Sequence, residues 1–308
     1  MSLNRTSYCS YFPFLLLLTL LITRPADDSF NWQTLESGML KIHWYEGDAR
    51  FGQAALDAAQ AGLESVGRLI PSDLQRPVDI YIYANASDLK SALASGKEDW
   101  IAGHADPKLG IVHVLIEPGS EERITMDQRI PHELMHVMLY RRVGAGYENI
   151  PAWLREGIAT LAEMYPNAEY DRVLAEAVSS NNIIPLKDLC SSFPADAGQA
   201  FLAYAEAQSF SEFLDRMYGS DGLMNLSTVY AGGVDCESGL ERAFGVSLSR
   251  LESQWLSSMS GRNIILTGVQ NIAPYLVLLC LILIIPLFSI VSTLRKGNRH
   301  ESGTPIKR

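Results

Sequence analysis

The chain has 308 residues, of which 47% are hydrophobic, so it is long enough for one or two domains with a sizeable core. This composition excludes an intrinsically disordered chain and a fibrous repeat. Its 25 Lys and Arg are outnumbered by 35 Asp and Glu, which gives a net charge of −10. Nucleic-acid-binding proteins present a basic face, so this balance argues against a nucleic-acid partner.

The charge is unevenly distributed along the chain. Residues 1–26 carry a net charge of +2, residues 27–270 carry −16, and residues 271–308 carry +4. An acidic body therefore lies between two short basic ends, and each basic end flanks an apolar run.

The first apolar run, residues 11–22, follows Arg5. It is too short for a comfortable membrane helix and is typical of a signal-peptide core. Cleavage near Ala26 would place Arg24 where a small residue is usual. Residues 1–26 are therefore predicted to be either a signal peptide or an uncleaved signal anchor, and both alternatives place the acidic body outside the cytoplasm.

The body divides into a half that alternates between strand and helix patterns, residues 27–124, and a helical half, residues 125–262. Strands are predicted at residues 39–44, 78–83 and 110–116. Helices are predicted at residues 51–70 and 87–94. We therefore predict an α+β fold, with a small mixed sheet in the N-terminal half and a helical C-terminal half.

A helix is predicted where the two halves meet. Thr125 or Gln128 suits its start, Pro131 suits its first turn, and Gly144 suits its end. This helix carries the sequence HELMH at residues 132–136.

The HELMH sequence has the spacing of a metal site. Because His132 and His136 are four residues apart, their imidazoles project from one face of the helix and can hold one metal ion. Glu133 lies beside the first histidine. In such HExxH arrangements zinc lowers the pKa of a water molecule, and the glutamate takes its proton.

A catalytic zinc takes three protein ligands and keeps one position open. Glu156 follows His136 by 20 residues, on a second helix predicted at residues 153–163. The small residues Gly157 and Ala159 are expected to let this helix approach the first one. The other candidates for the third ligand are Glu148, Glu163, His104 and His113.

The sequences HELMH at 132–136 and WLREGIA at 153–159 resemble the gluzincin metallopeptidases, in particular the peptidase MA-like group. The resemblance implies one zinc ion per chain, held by His132, His136 and Glu156. It implies Glu133 as the general base. The expected metal site thus lies between the sheet-containing half and the helical half.

The resemblance extends over roughly residues 40–257. Residues 102–105, with the strand at 110–116, resemble the edge strand along which an extended peptide pairs in this family. Tyr204 lies in a family-like helical segment and is a candidate donor to the oxyanion of the reaction. The alternative for Tyr204 is a packed aromatic side chain.

One position departs from the family pattern. Some gluzincins place an acid four residues after the third ligand, where it orients a histidine, and here that position is Thr160. We expect threonine to accept a weaker hydrogen bond there.

Two cysteines lie in the body, Cys190 and Cys236. In an oxidising compartment two cysteines can pair. The alternative is two separate buried thiols, and the sequence does not decide between them.

The second apolar run, residues 273–291, contains no charged residue and is long enough to cross a bilayer. We predict a transmembrane helix at residues 272–294. Arg295, Lys296 and Arg299 follow it directly, so residues 295–308 are predicted to be a basic cytoplasmic tail. The absence of an ionisable residue from the span disfavours an intramembrane protease.

The sequence therefore predicts a single-pass membrane protein whose extracytoplasmic domain is a zinc metallopeptidase acting on peptides or proteins. The alternative is a non-catalytic module, in which the zinc is structural and the domain binds peptides or cell-envelope partners. Glu133 favours the enzyme, because a structural zinc site has no use for a free carboxylate beside its ligand.

Overall fold

The computed structural model describes residues 30–70, 75–93 and 100–259, together with residues 275, 278 and 279. One compact unit begins at Trp32 and contains the strands and helices of these residues. Its strands are β1 Gln33–Ser37, β2 Leu40–Trp44, β3 Val78–Tyr83, β4 Gly103–Asp106 and β5 Ile111–Leu115. Its helices are α1 Ala49–Leu69, α2 Ala86–Ala92, α3 Glu122–Val143, α4 Ala152–Ala162, α5 Ala168–Ser180, α6 Ala197–Ala231, α7 Cys236–Phe244 and α8 at residues 248–259.

The five strands form one mixed sheet in the order β1-β2-β3-β5-β4. Strands β2, β3 and β5 are parallel, whereas β1 and β4 are antiparallel to their neighbours. Apolar residues of β2 alternate with polar ones, and Leu40, Ile42 and Trp44 are buried. The three strands predicted from the sequence are confirmed. Strand β1 was not predicted, and β4 forms the edge of the sheet where the family resemblance places an edge strand.

The predicted α+β class is confirmed, with the sheet in the N-terminal half and helices in the C-terminal half. Buried apolar residues of both halves form one continuous core. The boundary predicted between residues 124 and 125 falls in the first turn of α3. The two halves are therefore halves of one packed body.

Helix α3 begins earlier than predicted, at Glu122, so Pro131 lies inside the helix and the prediction that it occupies the first turn is wrong. A proline has no N–H for the carbonyl four residues before it. Here that carbonyl, on Asp127, accepts a hydrogen bond from the Met164 backbone N–H at 3.1 Å. The Pro131 ring also packs against Gly62 of α1. Contacts with distant residues thus stabilise proline within α3.

Helix α4 packs closely against α6. A Cβ at Gly157 would collide with the carbonyl oxygen of Ala207, so only glycine permits this approach. The expectation that Gly157 serves the approach of α4 to α3 is therefore wrong.

Cys190 and Cys236 form a disulfide, which decides between the two alternatives left by the sequence. The bridge ties the end of a short 3-10 helix, Leu186–Leu189, to the first residue of α7. The carbonyl oxygen of Cys190 also accepts a hydrogen bond from the Ala152 N–H at 2.8 Å. The disulfide therefore borders the start of α4.

Several predicted segments lie outside the described residues: the leader at 1–26, most of the membrane span at 272–294 and the basic tail at 295–308. Residues 275, 278 and 279 of the span are described, and all three are helical. None of the helices found among the described residues combines the length and apolar composition needed to cross a bilayer.

Candidate metal centre

The structure brings His132, His136 and Glu156 together. The Oε2 atom of Glu156 lies 3.4 Å from Nε2 of His132 and 3.6 Å from Nε2 of His136. One ligand atom from each of the three residues lies within 4.8 Å of the others. Helix α3 supplies both histidines from one face, and α4 supplies the carboxylate. These are the three residues that the family resemblance implies as ligands.

The outer nitrogen of each imidazole has its own partner. Nδ1 of His132 lies 2.9 Å from Oε1 of Glu163, and Nδ1 of His136 lies 2.9 Å from the Tyr147 hydroxyl. These contacts orient the rings and leave each Nε2 facing Glu156. Glu163 directly follows α4, two helical turns after Glu156, and so lies on the same face as Glu156.

The expectation for Thr160 is wrong. Its hydroxyl is buried and donates to the carbonyl oxygen of Gly157 at 2.8 Å, and the outer nitrogens of both histidines bond to other residues. Glu163 has that role for His132. Because two helical turns return a side chain to the same face, the spacing of seven residues from Glu156 is the signal that identifies Glu163.

Tyr147 supports the centre although the sequence did not predict it. Helix α3 ends at Val143, and Gly144 caps it as predicted, with a φ of 65° in the left-handed region that favours glycine. The chain then forms a 3-10 helix, Gly144–Asn149, which returns Tyr147 to the side of His136. No local sequence pattern marks this return.

Glu133 is buried beside the two histidines and points towards the edge strand. Its carboxylate lies so close to Gly103 of β4 that a Cβ at residue 103 would collide with Oε1. Burial raises the pKa of Glu133, and the nearby Glu156 and Glu163 carboxylates add to this, while the histidines oppose it. A glutamate with a raised pKa suits a general base.

The charges of the centre are strongly coupled. Burial lowers the pKa of His132, but its hydrogen bonds with Glu156 and Glu163 outweigh burial and raise the pKa overall. For Glu156 burial raises the pKa, but His136 and His132 outweigh it and lower the pKa overall. A metal ion would therefore take the place of a proton at His132.

Tyr204 of α6 lies beside the centre. Its ring centroid lies 6.2 Å from that of His132, and its hydroxyl is within hydrogen-bonding reach of Glu156. Burial, assisted by the Glu156 carboxylate, raises the pKa of Tyr204 well above its usual value, so the hydroxyl keeps its proton. Its ring also packs on Phe193 and Trp100. The position of Tyr204 is compatible with both predicted roles, a hydrogen-bond donor to the oxyanion and a packed aromatic side chain.

The other candidate ligands lie apart from the three donor atoms. Glu148 pairs with Arg155, and Glu163 contacts the far side of the His132 ring. His104 lies on β4, and Nδ1 of His113 on β5 lies 3.2 Å from the Tyr83 hydroxyl. Burial lowers the pKa of His113 to about 4.

A cavity of about 730 Å³ opens in front of the centre. Residues 101–105 line it, and the last three of these belong to β4. Four aromatic side chains also line the cavity, namely Trp100, Tyr170, Phe201 and Tyr204. An extended peptide fits a cavity of this size with a strand edge along its side.

The donor set fits zinc. Two imidazoles and one carboxylate are the ligands of many catalytic zinc sites, and they leave a fourth position open. Both imidazoles have a hydrogen-bonded outer nitrogen, as zinc-binding histidines usually do.

A sequence model of the Peptidase MA superfamily matches residues 58–261. The match covers most of α1, the sheet from β3 onward and every helix of the metal centre. Among curated proteins none matches the chain.

Proposed function

This chain belongs to the peptidase MA superfamily, and from that premise we propose that it is a zinc metallopeptidase that hydrolyses peptide bonds in peptides or proteins. His132, His136 and Glu156 would hold the zinc. The observation that carries the proposal is the convergence of two Nε2 atoms and one carboxylate oxygen, with Glu133 beside them.

The chemistry divides among four side chains and the metal. When bound, zinc polarises the peptide carbonyl and makes water more acidic. Glu133 accepts a proton from the attacking water and returns it to the leaving amine. Tyr204 donates a hydrogen bond to the carbonyl oxygen as negative charge develops there. Glu163 and Tyr147 hold the histidines in position.

The buried position of Glu133 supports an enzyme over a non-catalytic module. Its carboxylate faces the cavity wall at Gly103, where an extended peptide would lie along β4. A structural zinc site has no need of an ionisable group there.

We further propose that the domain acts outside the cytoplasm, anchored by residues 272–294. The Cys190–Cys236 disulfide supports this location, because disulfides persist in oxidising compartments. The uncharged apolar run and the basic residues after it support the anchor and its orientation.

Cleavage of a mixed peptide library by the full chain tests the function. Wild type is expected to cleave, and Glu133→Gln is expected to retain zinc and lose cleavage. Undiminished cleavage by Glu133→Gln means that another group is the base.

A further inference from the structure

Arg155 is a cation beside the metal centre with no role in the proposed hydrolysis. It precedes Glu156 on α4 and lines the cavity. Its guanidinium carbon lies 5.2 Å from the centre of the Tyr147 ring, and 17% of its side chain is exposed. The stacking on Tyr147 holds the charge at the cavity wall.

Two of the described residues that line the cavity are arginines, and they differ in how they are held. Arg129 is mostly buried and donates to the carbonyl oxygen of Leu115, and Glu133 and Glu163 are among the carboxylates near it. The charge of Arg129 is therefore neutralised by groups of the protein itself. Arg155 is open to the cavity.

The partner of Arg155 is Glu148, through an ion pair of 3.2 Å. The Glu148 side chain is 77% exposed, so the pair is screened by water and contributes little stability. Only one of the guanidinium nitrogens, Nη1, takes part in it. Among the described residues no acceptor bonds to the other two guanidinium nitrogens, Nε and Nη2.

The other charged side chains of the cavity mostly repel an anion. Four glutamates line the cavity, namely Glu133, Glu148, Glu156 and Glu163. Their negative charge repels a carboxylate of the substrate. Arg155 is where such a group gains a bidentate partner, because a guanidinium matches a carboxylate with two parallel hydrogen bonds.

We propose that Arg155 binds a carboxylate of the peptide in the cavity, and that Glu148 occupies this position until the peptide replaces it. The proposal rests on the proposed peptidase function. The carboxylate belongs either to the C-terminus of the peptide or to an Asp or Glu side chain, and both sources offer the same two oxygens.

The test measures binding, so that it does not depend on cleavage. The full chain, loaded with zinc and carrying Glu133→Gln, is titrated with three pools of fluorescent hexapeptides. One pool has a free C-terminus and no acidic side chain, the second is the same pool amidated, and the third is amidated and carries one Glu. Arg155→Gln, Arg155→Lys and Glu148→Gln are compared in this background, and Arg172→Gln, an exposed arginine on α5, is the control.

We expect a carboxylate-bearing pool to bind about tenfold or more tightly than the amidated neutral pool, as a charge-assisted pair allows. Arg155→Gln should abolish this ratio, Arg155→Lys should retain part of it, and Arg172→Gln should leave it unchanged. The pool that shows the preference identifies whether the C-terminus or a side chain is bound.

Glu148→Gln should change affinity in the opposite direction. It frees the guanidinium and should tighten binding of the carboxylate pool. This gain should disappear in the Arg155→Gln, Glu148→Gln double variant, because it acts through Arg155.

Equal binding of all three pools, or a preference that survives Arg155→Gln, overturns the proposal. Loss of the proposed peptidase function has a different signature. In that case the chain without Glu133→Gln cleaves no peptide, while the ratio between the pools still reports on Arg155.

Discussion

Replacing Glu163 with Gln should weaken zinc binding although Glu163 is not a ligand. The carboxylate lies 2.9 Å from Nδ1 of His132, and the two side chains are only 11% and 12% exposed. A buried carboxylate in this position fixes the ring and makes its other nitrogen a better ligand. Glutamine keeps the size of the side chain but removes the charge, so the bond that remains is a neutral one.

The expected magnitude follows from the kind of bond that is lost. Hydrogen bonds to charged groups contribute about 1.5–3 kcal/mol, compared with about 1 kcal/mol for neutral ones. The difference between the two kinds of bond, about 0.5–2 kcal/mol, corresponds to about 2- to 30-fold in zinc affinity. Replacement of such outer partners typically lowers metal affinity by about 10- to 100-fold, so we expect a loss of about 10-fold.

The assay is a competition titration of the full chain against a zinc chelator at constant pH. Thr160→Val is the matched control, because the Thr160 hydroxyl bonds to Gly157 and not to a histidine. We expect wild-type affinity for Thr160→Val and the weakened zinc affinity for Glu163→Gln. Unchanged affinity in Glu163→Gln, or an equal loss in Thr160→Val, refutes the assignment of Glu163.

Three further predictions concern single side chains. Tyr204→Phe should lower kcat by about 10-fold or more while zinc content is unchanged, and unaltered kcat would leave Tyr204 a packing residue. Gly103→Ala should displace the Glu133 carboxylate and lower kcat by up to about 100-fold with zinc retained, since small misplacements of a reacting group have effects of this size; equal kcat would contradict the contact. Glu206 is fully buried, and its burial raises the pKa to about 8 from an ordinary 4.5. The unfolding free energy should therefore fall as pH rises from 4.5 to 8, by up to about 5 kcal/mol, and denaturant titrations of Glu206→Gln should lack this fall.

The ligands could be predicted from the sequence because their geometry is local. Four residues along a helix return a side chain to the same face, so His132 and His136 need no tertiary information. Glu156 was predicted from the resemblance of its motif to the family, because its distance to the histidines depends on how α4 packs. The three predicted strands were likewise readable from their apolar pattern.

The position of Pro131 could not be predicted, because the contacts that stabilise it are distant in sequence. Local rules place proline in a first turn, where its missing N–H leaves no carbonyl without a partner. In the structure Met164 supplies the missing donor to Asp127, and Gly62 supplies the space. Both residues are more than 30 positions from Pro131.

Glu163 and Tyr147, which hold the two histidines, differ in how far the sequence could predict them. Glu163 lies two helical turns after Glu156 and therefore on the same face. Its spacing could have identified it as the partner of His132, although Thr160 was the residue we expected. Tyr147 depends on the path of the chain after Gly144, which no periodic pattern encodes. The packing of Gly157 on α6 also follows from tertiary structure alone.

The most direct test of the proposed metal centre is the zinc content of the purified full chain, measured by elemental analysis. Wild type should hold about one zinc per chain, and His132→Ala should lose it, because two protein ligands do not make a catalytic zinc site. A wild-type chain that remains free of zinc after incubation with the metal would contradict the assignment of His132, His136 and Glu156, and with it the proposed function.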